Sequence, residues 1–75
     1  MTKLPTISGK DLVKIIIKLG FSIARQKGSH LILKHSDGRV TVVPCHNNED
    51  LDKGLLKKIL RDIDMSMDDF IKIIK

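Results

Sequence analysis

One cysteine, Cys45, is all the sequence holds, so no disulfide can close within the chain and the fold must rest on packing or on a partner. Tryptophan and tyrosine are absent and phenylalanine occurs twice, which leaves little with which to stack unpaired nucleic-acid bases. No apolar run approaches the roughly 18 residues of a spanning helix, and Met1 to Pro5 lacks the apolar stretch of a secretory signal. The expectation is a cytoplasmic protein with no membrane contact. There is no Gly-rich phosphate loop, dinucleotide fingerprint, paired-His zinc motif or calcium loop, which argues against nucleotide hydrolysis. Before residue 47 the only carboxylates are Asp11 and Asp37, too few for convergent two-metal phosphodiester chemistry. His30, His35, Cys45 and His46 follow none of the usual paired-ligand spacings. Neither a metal nor another cofactor is expected.

What the chain does have is room for one domain, residues 1–75, with a single core of limited stability. Its hydrophobic share of 41% beside 31% charged residues is that of an ordinary globular chain rather than a disordered tail. The net charge is +5 and unevenly spread: residues 1–46 carry a net +6 and residues 47–75 a net -1. The basic part is the part expected to meet a polyanion.

Ser8 with Asp11 three residues on reads as a capping box. Leu12, Val13, Ile16 and Leu19 then recur at helical spacing, with Lys10, Lys14 and Lys18 aligned on the other side. This predicts a helix over about 9–19, ended at Gly20 with Phe21 packed back on Ile16. From Phe21 to Val43, β-branched runs broken at Lys27-Gly28 and Asp37-Gly38 predict a three-stranded antiparallel meander. If both loops have two residues, Arg25 lies opposite His30, Ile23 opposite Ile32, and Leu31 and Leu33 share the core face with Val40 and Val42. A one-residue slip at Gly28 would invert the faces of the first strand. Pro44 closes the third strand and the polar stretch Cys45 to Asp50 is a loop. Leu55, Leu56, Ile59, Leu60 and Ile63 mark a helix begun near Asp52, with Lys53, Lys57 and Arg61 outside, and Ser66 with Asp69 caps a last helix carrying Met67, Phe70, Ile71 and Ile74. The fold class is therefore α+β, in the order α-β-β-β-α-α, with helices on one face of the sheet.

With metals and carboxylates set aside, histidine beside cations is the chemistry left. An imidazole can take the proton of a ribose 2′-hydroxyl or protonate a departing 5′-oxygen, while Lys or Arg stabilises the phosphate. That chemistry needs RNA and no metal. His30 follows Lys27-Gly28-Ser29, where Gly28 lets a backbone approach, with Arg25 and Lys27 nearby; His35 must point to the other face and is the weaker candidate. Composition alone favours the plainer reading of a surface histidine without a role, of lysines that merely solvate helices, and of Cys45 as an inert thiol.

The segments Lys3-Leu4-Pro5, Ser8-Gly9-Lys10, Gly20-Phe21, Arg25-Gln26-Lys27-Gly28-Ser29-His30, Pro44-Cys45-His46, Lys53-Gly54-Leu55 and Asp69-Phe70 resemble, in order, the successive blocks of the HicA (YcfA-like) toxins. The Arg25 to His30 run followed by the Pro-x-His of Pro44 to His46 is the most specific of them. The resemblance implies a fold similar to double-stranded-RNA-binding domains and the toxin half of a type II toxin–antitoxin pair. It further implies metal-independent, ribosome-independent cleavage of mRNA, and a HicB-like antitoxin that covers the active site. It maps the catalytic histidine onto His30 and places Gly28 in the same motif. Around it, Lys10, Lys14, Arg25, Lys27, Ser29 and Lys34 are candidate RNA contacts and His46 an accessory group. The alternative from another class is a non-catalytic RNA-binding module with the same basic surface, and a third is a protein whose main business is pairing with an antitoxin-like partner.

If the lysine line and the strand cations hold phosphates, RNA binding by a cleavage-dead variant should weaken as salt rises, with a log-log slope set by the number of contacts. An affinity indifferent to salt would exclude phosphate recognition by these residues.

Overall fold

The computed structural model describes residues 5–46 and 49–74; Lys3 and Leu4 of the first motif block, and Asn47 and Asn48 of the loop, lie outside them. The elements are α1 (Gly9–Lys18), β1 (Ser22–Lys27), β2 (His30–Lys34), β3 (Val40–Pro44), α2 (Lys53–Asp62) and α3 (Met67–Ile74). The strands form an antiparallel sheet in the order β1-β2-β3. This is the α-β-β-β-α arrangement of double-stranded-RNA-binding domains with one helix added.

Local chemistry accounts for the helices. The Ser8 hydroxyl accepts the Asp11 N–H at 3.2 Å, and α1 then buries Leu12, Val13 and Ile16 while Lys10, Lys14 and Lys18 stay exposed. The helix ends as a Schellman turn: the Phe21 N–H donates to the Ile16 carbonyl at 3.3 Å and the Gly20 N–H to that of Ile17 at 3.1 Å, with the Phe21 ring buried. Asp52 caps α2 by accepting the Leu55 N–H at 3.0 Å, and Ser66 caps α3 by accepting that of Asp69 at 3.1 Å.

Neither hairpin keeps the register expected of two-residue loops at Lys27-Gly28 and Asp37-Gly38. The first loop is Gly28-Ser29, so Lys27 pairs with His30, Arg25 with Ile32 rather than His30, and Ile23 with Leu33 rather than Ile32 after a bulge at Ala24. Gly28 has φ +60 and Ser29 does not have positive φ, the II′ pattern that wants glycine first; the Lys27-Gly28 loop would have put a lysine there instead. The second loop has three residues. The Gly38 N–H donates to the His35 carbonyl at 3.0 Å, the His35 N–H to that of Arg39 at 2.9 Å, and Gly38 takes the left-handed position at φ +102. The extra residue inverts β3 relative to the expectation. Thr41 and Val43, not Val40 and Val42, share the core face with Leu31 and Leu33, and Val40 and Val42 are exposed. Burial of Thr41 is tolerated because its hydroxyl donates to Asp62 at 3.2 Å.

The core joins Leu12, Ile16, Leu33, Val43, Leu56, Ile59, Leu60, Ile63 and Phe70, all at 2% exposure or less. α1 and α2 lie over β3, α3 packs on α2, and β1 is exposed along its whole length. Gly9, in the first turn of α1, sits so close to the end of β3 that a methyl group there would overlap the Pro44 carbonyl. That contact seats the chain just before His46. Gly9→Ala should therefore destabilise the fold by about 1–3 kcal/mol, as overpacking does, seen as a lower urea midpoint with unchanged slope. An unshifted midpoint would mean that this contact places no constraint on the end of β3.

Candidate active site

His30 is the first residue of β2, immediately beyond the Gly28-Ser29 turn. Since Leu31 and Leu33 face the helices, His30, Ile32 and Lys34 lie on the open face of the sheet. Lys27 stands directly across from His30 on β1, and Arg25 lies two pairs further along on the same face, diagonal to it. The sequence had placed Arg25 in the position that Lys27 occupies. Lys34 is on the same face four residues along β2, about 13 Å away at ~3.3 Å per residue. Lys10 and Lys14 belong to a different surface: with Val13, Gln26, Ser29, Leu31 and Cys45 they line a groove of about 370 Å³ between α1 and the first hairpin. Gln26 also braces the turn, its side-chain amide donating to the Gly28 carbonyl at 3.1 Å.

Ser29 joins these surfaces to the end of β3. Its carbonyl accepts the Cys45 N–H at 2.7 Å, and its hydroxyl meets His46 Nε2 at 2.8 Å. The imidazoles of His30 and His46 come together edge to face, with centroids 6.3 Å apart and planes at 85°. Both histidines are exposed. Beyond His46 the chain turns back, the Glu49 N–H donating to the His46 carbonyl at 2.7 Å and the Leu51 N–H to that of Ile7 at 2.8 Å. His46, Glu49, Asp50 and Asp52 line a small cleft with Pro44, Leu51 and Leu55. His46 thus has the cationic hairpin on one side and carboxylates on the other.

The remaining candidates have structural roles. The His35 ring meets Phe21 edge-on at 5.0 Å and its Nδ1 accepts the Asp37 N–H at 3.1 Å; the Arg39 guanidinium lies over Phe21 at 5.1 Å. This cluster locks the second hairpin loop. The Arg39 N–H, bonded to the Asp37 carboxylate, holds that acid below the usual carboxylate range, assisted by the Arg39 guanidinium and the charge of His35. Burial pushes the Cys45 thiol up, only partly offset by the charge of Lys10, so it is a poor nucleophile near neutral pH. Among the described residues no group of three or more His, Cys, Asp or Glu side chains is placed to hold a metal ion, and no helix is long and apolar enough to cross a membrane.

An exposed imidazole with an ammonium across the strand can exchange a proton with a bound anion while the cation holds its charge. The contact of Ser29 with His46 escaped the sequence reading. Its signal was the Pro-x-His of Pro44 to His46 following a strand, together with the preference of Gly28 for the first place in its turn.

Residues 9–65 match the family model described as HicA toxin of bacterial toxin-antitoxin. No curated protein matches the chain.

With its thiol pKa raised, Cys45 should react with iodoacetamide more slowly in the folded protein at pH 8 than in the same chain in urea, and the gap should narrow as pH rises. Equal rates at pH 8 would contradict a protonated, half-buried thiol.

Proposed function

Since this chain belongs to the HicA toxin family, we propose that it is the ribonuclease of a toxin–antitoxin pair, cutting mRNA in the cytosol without a metal through His30. The observation that carries this reading is the exposed His30 with Lys27 directly across the strand, within a motif run that the family match spans. Neutral His30 removes the proton from a ribose 2′-hydroxyl, and the 2′-oxygen attacks the adjacent phosphorus. The bond from phosphorus to the 5′-oxygen breaks, leaving a 2′,3′-cyclic phosphate and, once the departing oxygen takes up a proton, a 5′-hydroxyl. The Lys27 ammonium stabilises the charge gathering on the phosphate.

Arg25 and Lys34 extend the cationic face toward neighbouring phosphates, and Lys10, Lys14 and Ser29 offer a second track in the groove beside α1. Recognition through the backbone suits a chain with two phenylalanines and no other aromatic residue of its class. A HicB-like antitoxin silences the enzyme by occupying this face. Binding only the folded toxin, it also stabilises a small domain by mass action.

His30→Ala should lower cleavage by roughly 10² to 10⁴, while the melting curve stays near that of the wild type because the side chain is exposed. Wild-type cleavage should survive EDTA and fail on a substrate lacking the 2′-hydroxyl at the scissile position. A folded His30→Ala protein that cuts RNA at the wild-type rate would remove His30 from the mechanism. A wild type that binds RNA but never cuts it would instead mark a non-catalytic RNA-binding module.

A further inference from the structure

Resting on the ribonuclease reading of this site, we propose that His46 is its second catalytic group, the general acid that protonates the departing 5′-oxygen, and that Ser29 is the positioning residue for its ring. Loss of the 5′-oxygen as a bare alkoxide is slow near neutral pH, so the reaction calls for an acid on the side of the phosphorus opposite the base. His30 and His46 stand at one rim, both exposed, with ring centroids 6.3 Å apart. Each must bring one nitrogen within about 2.6–3.2 Å of its oxygen, and a single phosphodiester lying over this rim offers the 2′-oxygen to one ring and the 5′-oxygen to the other. The two elements that carry the histidines are tied at this point by the bond from the Cys45 N–H to the Ser29 carbonyl.

The surroundings of the two rings differ. His30 faces Lys27 across the strand and Arg25 diagonally, whereas His46 shares its cleft with Glu49, Asp50 and Asp52; Lys10 and Cys45 lie beyond Ser29 in the groove. The reaction uses His30 as the base beside the cations that hold the phosphate, and His46 as the acid on the far side of the rim. Ser29 Oγ lies 2.8 Å from His46 Nε2, so in this proposal Nε2 is the nitrogen held by the protein and Nδ1 the one that faces substrate. With Ser29 accepting from Nε2–H before and after transfer, the proton that reaches the 5′-oxygen leaves from Nδ1. At the end His30 has gained the proton of the 2′-hydroxyl and His46 has lost one to the 5′-hydroxyl; exchange with water resets both.

The test uses an RNA oligonucleotide containing the bond that the wild type cuts first, made also with sulfur in place of the bridging 5′-oxygen at that bond. A thiolate departs without needing a proton. On ordinary RNA, His46→Ala and His46→Gln should each lose roughly 10² to 10⁴ in rate, and on the sulfur substrate both should return to near the wild-type rate, whereas His30→Ala stays slow on both. The Gln variant keeps a polar partner for Ser29, so a loss shared by both variants is not one of folding; thermal melts on the same samples check this. Ser29→Ala should lower kcat by roughly tenfold with little change in KM, be rescued on the sulfur substrate, and be largely restored in Ser29→Thr. If His46 variants cut ordinary RNA at the wild-type rate, or remain as slow on the sulfur substrate, His46 is not the acid although the ribonuclease reading stands. A wild type inert toward both substrates overturns that reading and this inference together.

Discussion

Gly28 at φ +60 opens a two-residue turn, and the geometry of that turn governs what the first hairpin exposes. With Gly28 first and Ser29 second, His30 becomes the first paired residue of β2 and Lys27 its partner. Moving the turn back by one residue would place Arg25 across from His30 and move every β1 partner near the turn by two positions, taking Lys27 off the pair with His30. The same turn leaves Ser29 at the tip, where its carbonyl holds Cys45 and its hydroxyl reaches His46. One backbone conformation thus aligns a histidine, a lysine and the end of a distant strand.

The core and the candidate site occupy opposite sides of the sheet. Leu33, Thr41 and Val43 press against α1 and α2, while His30, Lys27 and Arg25 face solvent beyond the helix layer. Changes on the open face therefore cost little of the core. The end of β3 is the exception, because Gly9 of α1 meets the Pro44 carbonyl and so links the helix packing to the segment that carries His46. A perturbation there is felt both as stability and as the spacing of the two imidazoles.

Charge is divided between the hairpin and the last third of the chain. The cations of β1 and β2 surround His30, whereas the carboxylates of the last third gather along the loop before α2 and around the start of α3. Polyanion and acidic partner would compete for the same cationic hairpin. On the function proposed above, substrate access and inhibition would be two uses of one surface.

Much of this was legible in the amino acids. Capping serines, helical periodicity from Leu12 to Ile16 and from Leu55 to Ile63, the β-branched runs, and the Arg25 to His30 motif are local signals, and local energetics suffices to read them. The element order and the family resemblance followed from them. Register did not, since the strand pattern tolerates either parity until each loop has chosen its turn type, and two loops of similar composition chose differently: Gly28-Ser29 closed with two residues and Ser36 to Gly38 with three. Hence Val40 and Val42 lie outside and Thr41 inside, the buried hydroxyl being answered by Asp62 from a helix 21 residues away in sequence. The pairing of His30 with His46 belongs to the same class. Sixteen positions separate the two, and only the antiparallel return of β3, pinned by Ser29 and Gly9, brings their rings together.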